Sequence, residues 1–390
     1  MSESQITAPV LPSVCSVTRR LTVITFFAIV LAPVLLLGYD GPWFGPGDIS
    51  VRNRAPFPEK FAPGAFRLFD TWLADRAGFR YPLIYVGTNF HIGVLHRPLD
   101  NHIVFGRDGW MYWTDDRETT PAIMADARGK LRFKAKEIER IDAQLQSAHG
   151  QLAACGIASA VLIAPNKQSV YGEFLLNVPA AAPPTRLDAL LDALSPAARE
   201  TIVDARETMR TAKLAHAPMR LFNKTETHWN DLGAYYAYAA VMQKLAPALP
   251  GNPKIRPLEE FEFFTGPYPG GDMGTRVLFS PWRFADENVS LAPKVPISRE
   301  GQVQIDWTHF VYRNPNGKGR LVLFGDSFAA QIVQFFAHHF EEVHRYVGET
   351  FNGPIISVHQ PQVVLFETVE RYLDRLLLKP IDLPRACGKQ

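Results

Sequence analysis

Leu321-Val322-Leu323-Phe324-Gly325-Asp326-Ser327-Phe328, continuing into Ala329-Ala330-Gln331, sets the terms for the rest of the chain. Four apolar residues in a row have the length and composition of a strand buried on both faces of a parallel sheet. Gly325 lets the chain turn tightly at the strand's end. Ser327 then falls at that C-terminal end and close to the start of a helical run reaching about Phe340. Open α/β sheets bind ligands along this edge, and the free N–H groups of a helix start can stabilise a developing oxyanion. The plainer reading makes Ser327 an N-cap and Asp326 a turn residue.

Outward from this stretch, strands and helices alternate. Lys130 to about Ala154 reads as an amphipathic helix closed near Gly156, and Ala158 to Ala164 (ASAVLIA) as a second buried strand. Residues 185–195 and 197–212 read as helices, Met219 to Phe222 as a short strand, Asp231 to Leu245 as a helix, and Val363-Val364-Leu365-Phe366 as a further buried strand. Pro and Gly break the rhythm from about 247 to 300, which reads as an insertion. Earlier, Phe66 to Asp75 has helical spacing, and Phe105 to Trp113 is a polar, Gly-bounded turn between short aromatic strands. Strands alternating with helices predict a three-layer α/β/α domain with a mostly parallel sheet.

Composition narrows the class. The 390 residues are 47% hydrophobic and 21% charged, which excludes a disordered chain and a multi-span membrane protein. The net charge of +2 gives no electrostatic case for a nucleic-acid partner. Three cysteines are too few for a disulfide scaffold or a zinc cluster. The uncharged run Leu21 to Gly38, at about 1.5 Å per residue, spans roughly the hydrocarbon thickness of a bilayer. Arg19 and Arg20 precede it, so a retained anchor would leave the N-terminus in the cytoplasm and the rest outside. A cleaved signal peptide would show a shorter apolar run and a small-residue site; Gly38-Tyr39-Asp40-Gly41-Pro42 follows instead. Cys155 and Cys387 would then share an oxidising compartment and could pair, or be two buried thiols.

A serine is a weak nucleophile without an adjacent base. Lys224-Thr225-Glu226-Thr227-His228-Trp229-Asn230 lies between a strand candidate and a helix, so it too belongs to a loop at the sheet edge. His228 is a candidate base, and Glu226, two residues earlier, a candidate acid to fix its tautomer. Alone, the segment would read as an exposed loop histidine before a helix start. Together the two loops predict a Ser327–His228–Glu226 triad.

These motifs, Gly325-Asp326-Ser327-Phe328 with Glu226-Thr227-His228-Trp229, resemble the SGNH-hydrolase-like domain of the alginate O-acetyltransferase family (AlgJ and AlgX types), in which a D-x-H-W segment precedes a G-D-S segment. Asn53-Arg54, Phe79-Arg80, Gly106 to Trp110, Pro165-Asn166-Lys167 and Val363 to Arg371 agree. The resemblance covers about residues 50 to 375. It implies Ser327 as nucleophile, His228 as base and the residue at 226 as acid, where this chain has Glu in place of the usual Asp. The chain ends soon after its last strand, so it is closer to the membrane-attached AlgJ type than to the periplasmic AlgX type with its carbohydrate-binding module. The implied organisation is a cytoplasmic N-terminus over 1–20, an anchor over 21–38, a linker over 39–64, an SGNH-like O-acetyltransferase domain over 65–376 and a tail over 377–390. The implied function is acetyl transfer to hydroxyls of a secreted polysaccharide without a cofactor. The donor would be a multi-span membrane acyltransferase, and the domain would stand in the periplasm on an inner-membrane anchor.

An acetylesterase of the same polymer, or a non-catalytic scaffold of an export complex, would carry the same motifs; the Glu at 226 favours the scaffold. Further candidates are Asn166 as an oxyanion donor, Lys167 toward an acidic sugar, Tyr171 in the pocket wall, and Arg276 on the loop Gly270 to Arg276 gripping a carboxylate. Each has a plainer reading as a loop, surface or core residue. His338, His339 and His344 lack ligand spacing and read as a helix face and a strand, not a metal site.

Overall fold

The computed structural model describes residues 14–39, 55–58, 64–78, 80–98, 102–114, 123–176, 184–278, 280–295, 300–348 and 351–377. The expected tail from residue 378 on, most of the linker, Asn53-Arg54, Phe79 and Cys387 lie outside them, and with Cys387 the pairing with Cys155.

The chain forms two compact units, residues 1–96 and 97–390. In the first, a helix runs over Val14–Leu35, and its window Thr18–Leu35 is long and apolar enough to cross a membrane. It lies about three residues N-terminal to the expected span, because the chain turns at residues 36–38 and Gly38 adopts a left-handed conformation. Helices Ala65–Arg76 and Arg80–Gly93 also lie in this unit, which ends at His96.

The second unit opens with the hairpin β1 (Ile103–Phe105) and β2 (Met111–Trp113). Its centre is a seven-stranded sheet formed by β3 (Ala158–Ala164), β4 (Ile202–Asp204), β7 (Glu300–Gln304), β8 (His309–Arg313), β9 (Arg320–Gly325), β10 (Glu342–Val347) and β11 (Val363–Val369). The order is β4-β3-β11-β9-β10-β8-β7. The five strands from β4 to β10 are parallel, and β8 and β7 add an antiparallel edge. β5 (Phe261–Pro267) and β6 (Glu287–Pro293) form a separate antiparallel ribbon inside the expected insertion.

Side chains alternate across a strand, so each central strand feeds two cores. Leu162, Leu321, Leu323 and Leu365 pack on one face with Met209, Tyr238, Val241 and Val333, from helices Arg206–Ala215, Asp231–Leu245 and Ala329–Phe336. Val161, Ile163, Val322, Phe324 and Phe366 pack on the other with Ile141, Leu145, Leu190 and Ile356, from helices Ala135–Ala154, Arg186–Ala193 and Gly353–His359. This is the expected three-layer arrangement.

Several local expectations need correction. The helix expected over 197–212 is interrupted by β4: Ile202 and Val203 are consecutive β-branched residues that pair with Val161 and Leu162 at the sheet edge. Met219–Phe222 is no ladder strand; Phe222 makes one isolated bridge, to Trp229. The helix expected from Lys130 starts at Ala135, because Glu137 accepts the Lys134 backbone N–H and closes the helix start there (2.7 Å). The helix after Ser327 ends at Phe336 and turns through His338 and His339.

Gly325 is needed for closeness, not for a left-handed turn. A Cβ there would stand 2.7 Å from Glu367 Oε2 and 2.8 Å from Ala329 Cβ. Glu367 is fully buried on β11 and its Oε2 accepts the Asp326 N–H (3.0 Å), so it has little room to retreat. Gly325→Ala is expected to cost about 1–3 kcal/mol of overpacking strain. Urea unfolding monitored by circular dichroism checks it, and a midpoint equal to wild type refutes it.

Candidate active site

β9 ends at Gly325, and Asp326 then pins the turn from both sides. Its Oδ1 accepts the Phe328 N–H (2.9 Å) and its Oδ2 the Val369 N–H of β11 (2.9 Å). Asp326 is therefore the turn residue that the plainer reading allowed. Ser327 is not the N-cap: that position is Phe328, and the Ser327 side chain turns outward, exposed.

The second loop, 223–230, docks onto the first through Trp229. This buried indole donates its N–H to the Phe328 carbonyl (3.1 Å) and packs edge-on against the Phe328 ring. Asn230 then caps helix Asp231–Leu245 through the N–H groups of Leu232 and Gly233 (3.1 and 3.2 Å). Between these anchors His228 is presented to Ser327, with its Nε2 2.7 Å from the Ser327 Oγ. On the far side of the ring Nδ1 lies 2.7 Å from Glu226 Oε1. With the ring proton on Nδ1 and given to Glu226, Nε2 accepts from the serine hydroxyl, the tautomer that proton abstraction requires. The three side chains expected to meet do so in one unbroken line.

Glu226 has its second oxygen fully engaged. Oε2 accepts from the Tyr268 hydroxyl and from the Asp272 N–H, both at 2.9 Å. Burial pushes this carboxyl up, but hydrogen bonds from His228, Asp272 and Tyr268 and the charge on the imidazole outweigh it. The group is held at about 2, well below the ordinary glutamate range. Asp272 sits beside it with the opposite fate. Burial first, then the negative charge of Glu226, raises its carboxyl to about 7. Its Oδ1 accepts the Thr227 N–H (2.8 Å), its Oδ2 accepts the Thr227 hydroxyl, and Oδ2 stands 3.8 Å from His228 Nδ1. Two carboxyls this close divide the work: one stays ionised against the imidazole, the other holds its proton. Glu226, His228 and Asp272 offer ligand atoms within 4.8 Å of one another, but both ring nitrogens of His228 are already committed to Ser327 and Glu226.

The loop carrying Asp272 is pinned, not free. Gly271 has φ +49°, and a Cβ there would meet the Thr225 carbonyl oxygen at 2.4 Å. The Met273 N–H donates to that carbonyl (3.1 Å), while Asp286 takes the Thr225 N–H and hydroxyl (2.8 and 2.7 Å). The expected cover, Gly270 to Arg276, thus forms a wall of the site. Arg276 lies exposed on it.

Lys167 and Tyr171 correct their expectations. Lys167 is 3% exposed, and its ammonium donates to the carbonyls of Asn223, Lys224 and Glu226 (3.2, 2.8 and 2.8 Å). All three donors are spent on the triad loop from below, so it has none for a sugar carboxylate. Burial lowers its pKa to about 7, against the pull of Asp272, Asp286 and Glu226. Tyr171 is core: it stacks on Trp110 and its hydroxyl accepts the Leu221 N–H (2.9 Å). Asn166 is buried at the end of β3, with its N–H on Glu370 (3.0 Å), and makes no hydrogen bond to the three triad residues. Sequence reasoning missed Tyr268, and placed Asp272 on a cover without seeing its contact with the triad. The one available signal was the Gly270-Gly271 pair, which marks a close backbone approach.

The sequence compares with known proteins as follows. The family model described as SGNH hydrolase-like domain, acetyltransferase AlgX, matches residues 103–344. A probable alginate O-acetylase AlgJ of Pseudomonas putida is 26% identical over 291 residues, 70% of this chain and 70% of its own length. One from Pseudomonas fluorescens is 25% identical over 321 residues, 75% of this chain and 74% of its own. The solved structure of Bacillus cereus PatB1 with a sulfonyl adduct superposes with TM-score 0.50 at 16% identity, over 70% of this chain and 98% of that one, a likeness of fold.

Two outcomes are expected. Trp229→Phe strands the buried Phe328 carbonyl and should cost about 1–3 kcal/mol of stability, while turnover of an acetyl ester falls further than the loss of folded protein explains. Denaturant titration and initial rates at matched folded fraction measure both; an unchanged specific rate would separate Trp229 from the site. The second concerns pH. Asp272 has a folded pKa above its unfolded value, so its contribution to stability is complete below about pH 4 and is lost as pH rises through about 7. Asp272→Asn should remove that decline. Thermal melts across pH 4 to 8 test it, and identical slopes for the two proteins would contradict it.

Proposed function

The chain belongs to the family of SGNH hydrolase-like acetyltransferases typified by AlgX, and on that premise we propose that Ser327, His228 and Glu226 carry acetyl groups to hydroxyls of a secreted, alginate-like polysaccharide. The observation that supports this is the continuous hydrogen-bonded line from Ser327 through His228 to Glu226. The relatives that are probable alginate O-acetylases support the polymer class.

In this reading, the Ser327 Oγ attacks the acetyl carbonyl of the donor while His228 Nε2 takes the hydroxyl proton. Glu226, ionised, stabilises the imidazolium that results. The tetrahedral intermediate collapses, the donor's leaving group takes the proton from His228, and acetyl-Ser327 remains. A sugar hydroxyl then attacks that ester, gives its proton to His228, and the proton returns to Ser327 as the acetylated sugar leaves. The Ser327 N–H is the first candidate for the oxyanion, with Asn166 as a second. Arg276, exposed on the wall that holds Asp272, is the candidate for a uronate carboxylate.

The donor is proposed to be a multi-span membrane acyltransferase. The Thr18–Leu35 helix would anchor the chain in the inner membrane with the catalytic unit in the periplasm. One observation favours an esterase as the second reading: Ser327 is exposed, so water can reach an acetylated serine. The scaffold reading rested on the Glu at 226; a 2.7 Å contact with the imidazole removes that reason.

Ser327→Ala should lower acetyl transfer by about 10⁴-fold or more with an unchanged melting curve, and Glu226→Gln by about 10⁴-fold. The assay combines purified chain, an acetyl ester and an oligouronate, followed by mass spectrometry. Acetylated oligosaccharide is the expected product. Free acetate alone would select the esterase, and full turnover by Ser327→Ala would overturn the triad.

A further inference from the structure

On the opposite face of the sheet from helix Asp231–Leu245, three histidines far apart in sequence converge. His309 stands on β8, His344 on β10, and His359 ends helix Gly353–His359. Register sets His309 opposite Tyr346 and His344 opposite Val311, so His309 and His344 are diagonal neighbours on one face. His309 Nε2 and His344 Nδ1 are 3.1 Å apart, and one ligand nitrogen from each of the three rings lies within 4.8 Å of the others. We propose that His309, His344 and His359 form a binding site for a divalent transition metal, zinc by the chemistry of its ligands, which clips the antiparallel edge of the sheet to the helix layer beneath it.

Three imidazoles are a well-suited donor set for zinc, and tetrahedral ligands at about 2.0–2.1 Å from the metal lie roughly 3.3 Å apart. The His309–His344 separation is already close to that, and the third ring is half-buried on a helix end, within reach of side-chain rotation. The outer nitrogens have the partners that metal-binding histidines use to fix their tautomers. His344 Nε2 faces Glu342 Oε2 at 3.3 Å, and His359 Nε2 faces the Tyr346 hydroxyl at 2.7 Å. With their protons on those nitrogens, His344 and His359 keep Nδ1 for the metal, and His309 offers Nε2.

The other charged groups near the cluster are Arg313 and Arg320, both paired with Glu342 (3.2 and 3.5 Å), and Asp306, which accepts the His309 N–H (2.9 Å). His309 stacks face to face on Tyr346 at 4.2 Å and His344 on His359 at 3.8 Å, so ring contacts hold all three imidazoles in place. This separates the cluster from the triad, whose imidazole is committed to Ser327 and Glu226.

The test uses the detergent-solubilised full chain, stripped with chelator and titrated with Co²⁺, whose visible absorption reports nitrogen coordination, followed by Zn²⁺ competition. One equivalent is expected to give the bands, and Zn²⁺ to abolish them. The double variant His309→Gln with His359→Gln should weaken binding about 100-fold or more, and Glu342→Gln about 10-fold. His228→Gln should bind as wild type. Turnover of an acetyl ester by the double variant should match wild type, which also reports that it is folded. Absent bands, bands that survive the double variant in folded protein, or bands lost in His228→Gln would each overturn the site.

Discussion

The contact on which the site depends is the hydrogen bond from the Trp229 indole to the Phe328 carbonyl. Ser327 and His228 are 99 residues apart and belong to loops with different supports. One follows β9; the other is not the end of any strand of the main sheet. No ladder fixes their separation, so a direct tie between the loops must. A tryptophan beside the histidine supplies a rigid buried body and a single directed donor. Placed next to the residue it positions, it transmits little slack: Phe328 follows Ser327 directly, as Trp229 follows His228. The Phe328 ring lies 4.9 Å from that of His228 as well, so the same residue supports the imidazole from beneath.

Support for the loop comes from below through a donor and from the side through acceptors. Lys167 gathers three carbonyls of residues 223–226 with an ammonium removed from water. Asp272 and Asp286 gather N–H groups and hydroxyls of Thr225 and Thr227. A loop without regular structure carries backbone groups that would be costly to bury unpaired. Here those groups are met by buried ionisable side chains whose own burial is offset by the same bonds. That is why a triad loop with few ladder bonds can still hold its geometry.

Much of this was legible in the sequence. β3 and helix Asp231–Leu245 have the boundaries read from their apolar runs, because both lie in the core and hydrophobic burial is what pattern reading detects. β4 escaped, since three residues at a sheet edge carry too little apolar signal to interrupt the helical pattern on either side. The meeting of Ser327, His228 and Glu226 in space was legible because Glu226 and His228 stand two residues apart and a serine after a Gly-Asp turn calls for a nearby base. Lys167 was misread for a physical reason: a lysine after a strand resembles a solvated charge, and only the fold shows three carbonyls converging on it. Glu226 stands where the resembled family usually has Asp and is one methylene longer, and with that length Oε2 reaches Tyr268 and the Asp272 N–H while Oε1 stays on His228.

The insertion explains how that length is tolerated. β5 and β6 end their ladder at Pro267 and Glu287, and the chain between them, beginning with Tyr268 and closing with Asp286, wraps the triad loop. A hairpin with a long tip is an unlikely place for precision, because tips lack ladder bonds. This tip gains its precision from contact with Thr225, Glu226 and Thr227 instead, and Gly271 permits the approach by having no side chain to meet the Thr225 carbonyl. The acid of the site is therefore shared between a loop at the edge of the core and an element outside it. Glu226 supplies the charge; Tyr268 and Asp272 decide where that charge points and which of two neighbouring carboxyls keeps it.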